Sequence, residues 1–375
     1  MMRHLVVAGT GKIGLDCGLY FLRRGWRVTW LSGDPGRRDE FSRRIARESL
    51  RLADAGPVEE GPGAAQVWLI DDAGASAGLA PDLFLEAVGE DLERKRDVFL
   101  RVAALLPART PLATASSSIL PGAIHPRCLG AHCFFPLEMT RLVEAIAPCK
   151  GGEREFESLL GILRGVGLHA ILQREANAFA VNRLLLPLQA EAVRALRAGL
   201  PAAVVDGAWA TPLVPFGQLA LMDAVGLDVI APAIANYCGR LPPLVAKDYT
   251  ELDETLRAMI VAGKRGKKNR DGFLAGSPLP WAVGSPSRGD IADLGLAFRT
   301  LAANTCGRAI ESGDIASAEL DLAFSSLFAG AVALDEERSR CLDDAGLERL
   351  ARLRRMTGRS YFLPGSSSRA TVATP

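Results

Sequence analysis

The sequence predicts a doubly wound α/β domain followed by a mainly α region, and three observations predict it. A glycine turn, Gly9-x-Gly11-x-x-Gly14, follows an apolar run and opens an amphipathic one. Strand-like apolar runs then alternate with helical patterns to about residue 176. From Ala178 the strand signals stop, and long helical periodicity takes over.

The elements follow in order. His4 to Gly9 reads as a buried strand, Thr10 to Gly14 as a turn and Leu15 to Arg24 as a helix that Gly25 breaks. Trp26 to Leu31, rich in aromatic and β-branched residues, suits a second strand and completes a βαβ unit. Arg37 to Ala53 is a helix of mixed charge, Ala55 to Gly63 a loop and Gln66 to Ile70 a strand. Phe84–Val88 and Leu112–Ala115 are further strand candidates, separated by a helical pattern from Asp91 to Leu106. Val181 to Ala198 is a strongly periodic helix stopped by Gly199 and Pro201.

Within the α region a weak repeat recurs in order. Glu191–Gly199, Val205-Asp206 and Met222–Leu227 are echoed by Gly307–Gly313, Leu320-Asp321 and Leu342–Leu347, as expected of a duplicated helical unit. The expected organisation is an α/β domain over 1–176 and a helical domain over 177–276. A Pro-containing linker over 277–289, a second, structural helical repeat over 290–360 and a disordered tail over 361–375 complete it.

Composition narrows the function classes. With 375 residues, 49% hydrophobic and 23% charged, the chain is long enough for about two to three domains. A net charge of +1, with no long basic run among the 44 Lys and Arg, argues against nucleic acid as a partner. The seven cysteines include no Cys-x-x-Cys and suit reduced thiols, so none is assigned to a metal. No stretch approaches the roughly 18 apolar residues of a membrane span, and the expectation is a cytoplasmic protein that does not enter membranes.

The glycine turn carries chemistry because of its context. Gly9 permits the tight turn, Gly11 lets backbone approach a pyrophosphate and Gly14 allows close helix packing, with the helix N-terminus facing the negative charge. This is the dinucleotide-binding pattern of a Rossmann domain. At the end of the second strand, where an acid is expected to hold the ribose 2′-hydroxyl, the chain has Ser32, with Asp34, Arg37 and Arg38 close behind. Two readings stand: Arg37 or Arg38 pairs with the 2′-phosphate of NADP, or Asp34 takes the ribose contact and the arginines begin a solvated helix.

A second constellation is His132 and Glu144, within Gly130 to Ile146. Glu144 sits in an apolar strand-like run, where a buried carboxylate needs a partner, and Pro136 turns the chain between the two residues. They are either a catalytic dyad or a core histidine and a strand-end acid.

Several segments in order resemble the 3-hydroxyacyl-CoA dehydrogenase family over roughly residues 4 to 274. Besides the glycine turn these are Leu85–Lys95, Ala113–Ile119, Gly130–Glu144, Phe179–Leu185, Pro215–Asp228 and Gly266–Phe273. The resemblance implies a Rossmann domain with a helical domain like the C-terminal domain of 6-phosphogluconate dehydrogenase, here duplicated. It also implies interconversion of 3-hydroxyacyl and 3-oxoacyl thioesters with NAD. By resemblance His132 is the general acid/base and Glu144 orients it, while Ser117 and Asn182 bond the substrate oxygen and thioester region. Glu90, Lys95 and Lys268 match family positions near the cofactor, and Ser49 matches a CoA contact. Departures are equally specific. Phe135 replaces an asparagine, Gln218 a proline and Arg270 a glycine, and a lysine expected soon after Ser49 is missing. The acyl carrier is therefore CoA or a carrier protein's phosphopantetheine, with a small hydroxy acid or a non-catalytic nucleotide-binding relative as further alternatives. A second helical copy would make the chain a pseudo-dimer in itself, the alternative being a homodimer.

Overall fold

The structure, a computed structural model, describes residues 2–53, 65–69, 80–148, 150–209, 216–276, 279–281, 294–327 and 334–365, except the side chains of 49–53 and 69. The chain divides into two compact units, Met1–Phe179 and Ala180–Pro375.

The first unit is a single eight-stranded sheet. Its strands are β1 (His4–Ala8), β2 (Arg27–Ser32), β3 (Ala65–Leu69), β4 (Leu83–Glu86), β5 (Leu112–Thr114), β6 (Cys128–Cys133), β7 (Leu142–Ala147) and β8 (His169–Arg174). They lie in the order β3-β2-β1-β4-β5-β6-β7-β8. Every neighbouring pair is parallel except β6 and β7, which form an antiparallel pair. The helices between them are α1 (Lys12–Leu22), α2 (Pro35–Ala53), α3 (Leu92–Ala103), α4 (Pro121–Ile124), α5 (Leu137–Thr140) and α6 (Glu153–Gly165).

Strand alternation sorts the core into two layers. Leu5 and Val7 of β1 pack with Leu15 of α1, Phe41 of α2 and Leu159 and Leu163 of α6, whereas Val6 and Ala8 pack with Val98, Phe99 and Val102 of α3 and Ile124 of α4. The sheet is thus covered on both faces, which is why its strands read as continuous apolar runs. The reversal of strand order between β1 and β4 opens the crevice at which ligands bind in such folds.

Beside this core His4 is 3% exposed, with Nε2 against the Thr29 hydroxyl and Nδ1 accepting from Arg27. Burial, reinforced by Arg27 and opposed by Asp82, pushes its imidazole from 6.5 down to about 4. Between those values the unfolded chain binds a proton that the native state does not, so stability should fall as pH drops from about 6.5 to about 4. In His4→Gln that part of the pH dependence should vanish, which urea midpoints measured across the interval would show.

The second unit is helical. It runs α7 (Ala180–Arg197), α8 (Ala202–Ala208), α9 (Gln218–Val225), α10 (Leu227–Cys238), α11 (Pro243–Ala246) and α12 (Thr250–Val261), then helices Leu294–Glu311, Ser317–Leu327, Leu334–Cys341 and Asp344–Thr357. Among the described residues no single helix is long and apolar enough to cross a membrane. The expected linker falls largely outside the described residues, and so does the tail from 366. Residues 361–365, which the sequence assigns to the disordered tail, are instead ordered against the helical unit. Tyr361 and Phe362 are 4% and 1% exposed, in a 3-10 turn (Ser360–Phe362). Ser360 donates its N–H and hydroxyl to Asp248, Tyr361 donates its hydroxyl to buried Glu191 at 2.5 Å, and Asn304 donates to the Tyr361 and Leu363 carbonyls. Two buried aromatic rings and a satisfied backbone repay the cost of ordering this segment.

Candidate functional site

The β6–β7 pair sets His132 directly opposite Glu144 in register. Their strand neighbours Ala131, Cys133, Val143 and Ala145 pack in the core layer of α1 and α6, so alternation turns both site residues to the other face. There His132 Nδ1 meets Glu144 Oε2 at 2.7 Å. Glu144 is fully buried and His132 is 7% exposed, its ring flanked by Phe134 and Phe179.

Sequence reasoning missed the residue behind this pair. Gln173 on β8 donates from Nε2 to Glu144 Oε1 at 2.9 Å, and its Oε1 accepts the Phe179 N–H at 2.8 Å. The backbone donor therefore fixes which end of the amide faces the carboxylate. The sequence carried no signal for it, because Ala170-Ile171-Leu172 shows no apolar–polar alternation; in the structure Gln173 shares the buried side of β8 with Ile171, while Leu172 between them is 46% exposed. A polar residue on the inward side of a strand asks for a partner.

Ser117 lies in the loop after β5, and Glu90 gathers that loop. The Glu90 carboxylate accepts from the Ser116 and Ser118 hydroxyls at 2.7 Å each and from the Ser117 and Ser118 N–H groups at 3.1 and 2.9 Å. The Ser117 hydroxyl lies farther off, at 3.5 Å. Burial would raise the Glu90 pKa, but Lys95 and the serine hydrogen bonds outweigh it and hold the carboxyl below its usual range.

Lys95 is 1% exposed, and its ammonium is 2.9 Å from Glu86, 3.6 Å from Glu90 and 3.3 Å from the Val88 carbonyl. It therefore lies beneath the loops. Glu86, a second residue that sequence reasoning missed, also accepts from Thr114 and the Val88 N–H at 2.6 Å each, so this ion pair is fully hydrogen-bonded.

The glycine turn has the expected shape. Gly9 has φ +123°, and a Cβ there would lie 2.4 Å from the Ala87 carbonyl oxygen. A Cβ on Gly14 would lie 2.2 Å from the Gly9 oxygen, whereas one on Gly11 would meet no atom within 4 Å. Gly11 is also the N-cap of α1, with no side-chain cap and no acid in the first turn. An uncapped helix N-terminus with open approach fits a dinucleotide's pyrophosphate.

At the end of β2, Ser32 is 2% exposed and its hydroxyl donates to the Asp34 carbonyl at 2.9 Å. The Asp34 carboxylate accepts the Gly36 N–H at 2.8 Å and lies 3.7 Å from Arg37, while Arg38 pairs with Asp39 at 2.9 Å. Ser49 lies within α2, and its side chain is outside the described residues. The second unit carries Asn182 in the first turn of α7, and Lys268 there pairs with Asp228. The structure thus brings His132 and Glu144 together, and Glu90 with Ser117 and Lys95, in the first unit.

Comparison with known proteins identifies a family for both regions of the chain. Residues 4–176 match the family model described as 3-hydroxyacyl-CoA dehydrogenase, NAD binding domain, and residues 179–276 match the one described as its C-terminal domain. The mitochondrial hydroxyacyl-coenzyme A dehydrogenase of Rattus norvegicus is 27% identical over 293 residues, covering 73% of this chain and 91% of that protein. The fatty acid oxidation complex subunit alpha of Idiomarina loihiensis is 30% identical over 217 residues, 54% of this chain, and the chain spans only 30% of that protein's length. A crystal structure of 3-hydroxybutyryl-CoA dehydrogenase from Escherichia coli K12 shares the fold across 99% of this chain and 98% of its own, with TM-score 0.74 at 18% identity.

Proposed function

Because the chain belongs to the 3-hydroxyacyl-CoA dehydrogenase family, whose NAD-binding domain it carries, we propose that it interconverts 3-hydroxyacyl and 3-oxoacyl thioesters with NAD, using His132 as general acid/base. The observation that carries this reading is the buried His132–Glu144 hydrogen bond. A carboxylate only accepts, so Glu144 keeps the ring proton on Nδ1 and leaves Nε2 to exchange a proton with substrate. When bound, NAD accepts a hydride from C3 of the hydroxyacyl group, and NADH returns one. In the oxidation Nε2 takes the 3-hydroxyl proton, and Glu144 stabilises the imidazolium that forms; in the reduction the imidazolium gives the proton back.

By family resemblance Ser117, in the loop that Glu90 gathers, bonds the substrate oxygen, and Asn182, in the first turn of α7, bonds the thioester region. Gly11 lets the pyrophosphate approach the N-terminus of α1, while Gly9 and Gly14 shape the turn and its packing. Glu90 and Lys95 act indirectly by shaping the loops, and the pairing of Lys268 with Asp228 favours a structural part for it. The duplication of the helical unit is supported by one recurring contact. The Leu219 N–H donates to Asp206 and the Leu334 N–H to Asp321, each across 13 residues.

Acetoacetyl-CoA should drive oxidation of NADH, followed by loss of its absorbance, and NADPH at the same concentration should react more slowly. Asp34 repels a 2′-phosphate, and it already engages Arg37. Tight NADH binding without turnover of any 3-oxoacyl thioester, on CoA or on a carrier protein, would remove the proposal. Equal rates with NADPH would assign Arg37 and Arg38 to the phosphate instead.

A further inference from the structure

The Lys12 side chain is not used by the site described above, and its surroundings are unusual. Lys12 is the first residue of α1, directly after the N-cap Gly11. The helix dipole makes this end positive, so acids are favoured here and a lysine is opposed. No acid in the first turn compensates, and among the described residues no carboxylate lies within ion-pair distance of Lys12. Asp16, one turn on, feels the charge but accepts the Leu137 N–H at 2.8 Å. The ammonium instead stands over the ring of Phe135, 3.7 Å from its centroid. That ring is 43% exposed and belongs to the segment that leaves β6 just after His132.

We propose that Lys12 is a direct cationic contact for the dinucleotide's pyrophosphate, held in place by the Phe135 ring. This rests on the glycine turn being the dinucleotide site. A π face engages one side of an ammonium and leaves N–H donors free, so the cation can keep the ring and still bond an anion. Placing that anion between Lys12 and the uncapped N–H groups of α1 turns an unfavourable charge arrangement into a favourable one. The open approach at Gly11 admits it. Because Phe135 follows the His132 strand, the same contact ties the cofactor's phosphates to the segment that carries the proton-transfer residue.

The test is calorimetric titration of the full chain with ADP-ribose, which carries the pyrophosphate without the nicotinamide, at low and high salt. Lys12→Met should weaken binding about tenfold at low salt and flatten its salt dependence. Lys12→Arg should bind within about threefold of wild type, because it keeps the charge and stacks on aromatic faces. Phe135→Leu, which keeps the charge and removes the ring, should fall between the two. Adenosine should bind wild type and Lys12→Met alike. An unchanged ADP-ribose affinity and salt slope in folded Lys12→Met protein would overturn the proposal, and Lys12→Gln serves if the methionine variant does not fold. His132→Ala should bind ADP-ribose as wild type does, so loss of the catalytic assignment would leave this one standing. Failure of wild type itself to bind ADP-ribose or NADH would remove both this proposal and the reading of the turn.

Discussion

His132→Ala should lower kcat by about a thousandfold or more and Glu144→Gln by about a hundredfold, with NADH binding little changed in either, while His132→Ala melts lower because it leaves the buried Glu144 carboxylate without its imidazole. The first effect follows from removing the atom that moves the proton. The second follows from the amide network around position 144. Gln173 presents Nε2 to one oxygen of Glu144 and is held that way by the Phe179 N–H. A glutamine at 144 would satisfy Gln173 with its carbonyl oxygen and turn its own NH2 group toward His132 Nδ1. Nδ1 would then have to accept, which puts the ring proton on Nε2. This is the wrong tautomer for taking a proton from the substrate hydroxyl, and the charge that stabilises the imidazolium is lost as well. Stability should survive, because a buried carboxylate is replaced by a neutral group of the same shape. Initial rates, NADH titration and thermal melts of both variants make the check. Turnover of His132→Ala within tenfold of wild type would remove the assignment.

The pairing of His132 with Glu144 was legible because its two strands are sequence neighbours. An apolar run ending in His132, a turn at Pro136 and a second run around Glu144 describe an antiparallel pair, and pairing in register does the rest. The glycine turn was legible for the same reason, since strand, turn and helix are contiguous. Burial of charge across the sheet was not. Lys95 carries the same charge as any helix-surface lysine, and only the packing of α3 on β4 places its ammonium on Glu86. Gln173 lies on a strand that the sequence did not single out, and its partners are β7 and the chain just beyond β8. The end of the chain misled through composition. Tyr361 and Phe362 are too short a run to show a period, and what orders them is contact with Asp248, Glu191 and Asn304, all distant in sequence.

The glycines of the turn should separate into two kinds when each is replaced by alanine. Gly9→Ala would force a left-handed φ on a residue with a side chain and set its Cβ against the Ala87 carbonyl, and Gly14→Ala would set one against the Gly9 carbonyl. Both obstacles are backbone atoms, which cannot rotate away as a flexible side chain would. Each change should cost about 3 kcal/mol or more and lower the melting temperature by roughly 6–12 °C. Gly11 differs on both counts. Its φ is −77° and a Cβ meets nothing, so Gly11→Ala should melt within about 1 °C of wild type. The methyl group would instead stand where a pyrophosphate must approach the helix N-terminus, and NADH affinity should fall by about tenfold or more. The contrast matters more than either number, because it divides what the fold requires from what the cofactor requires. Gly11→Ala protein that binds NADH like wild type would place the pyrophosphate elsewhere, and Gly14→Ala protein that melts like wild type would contradict the packing of α1 against the turn.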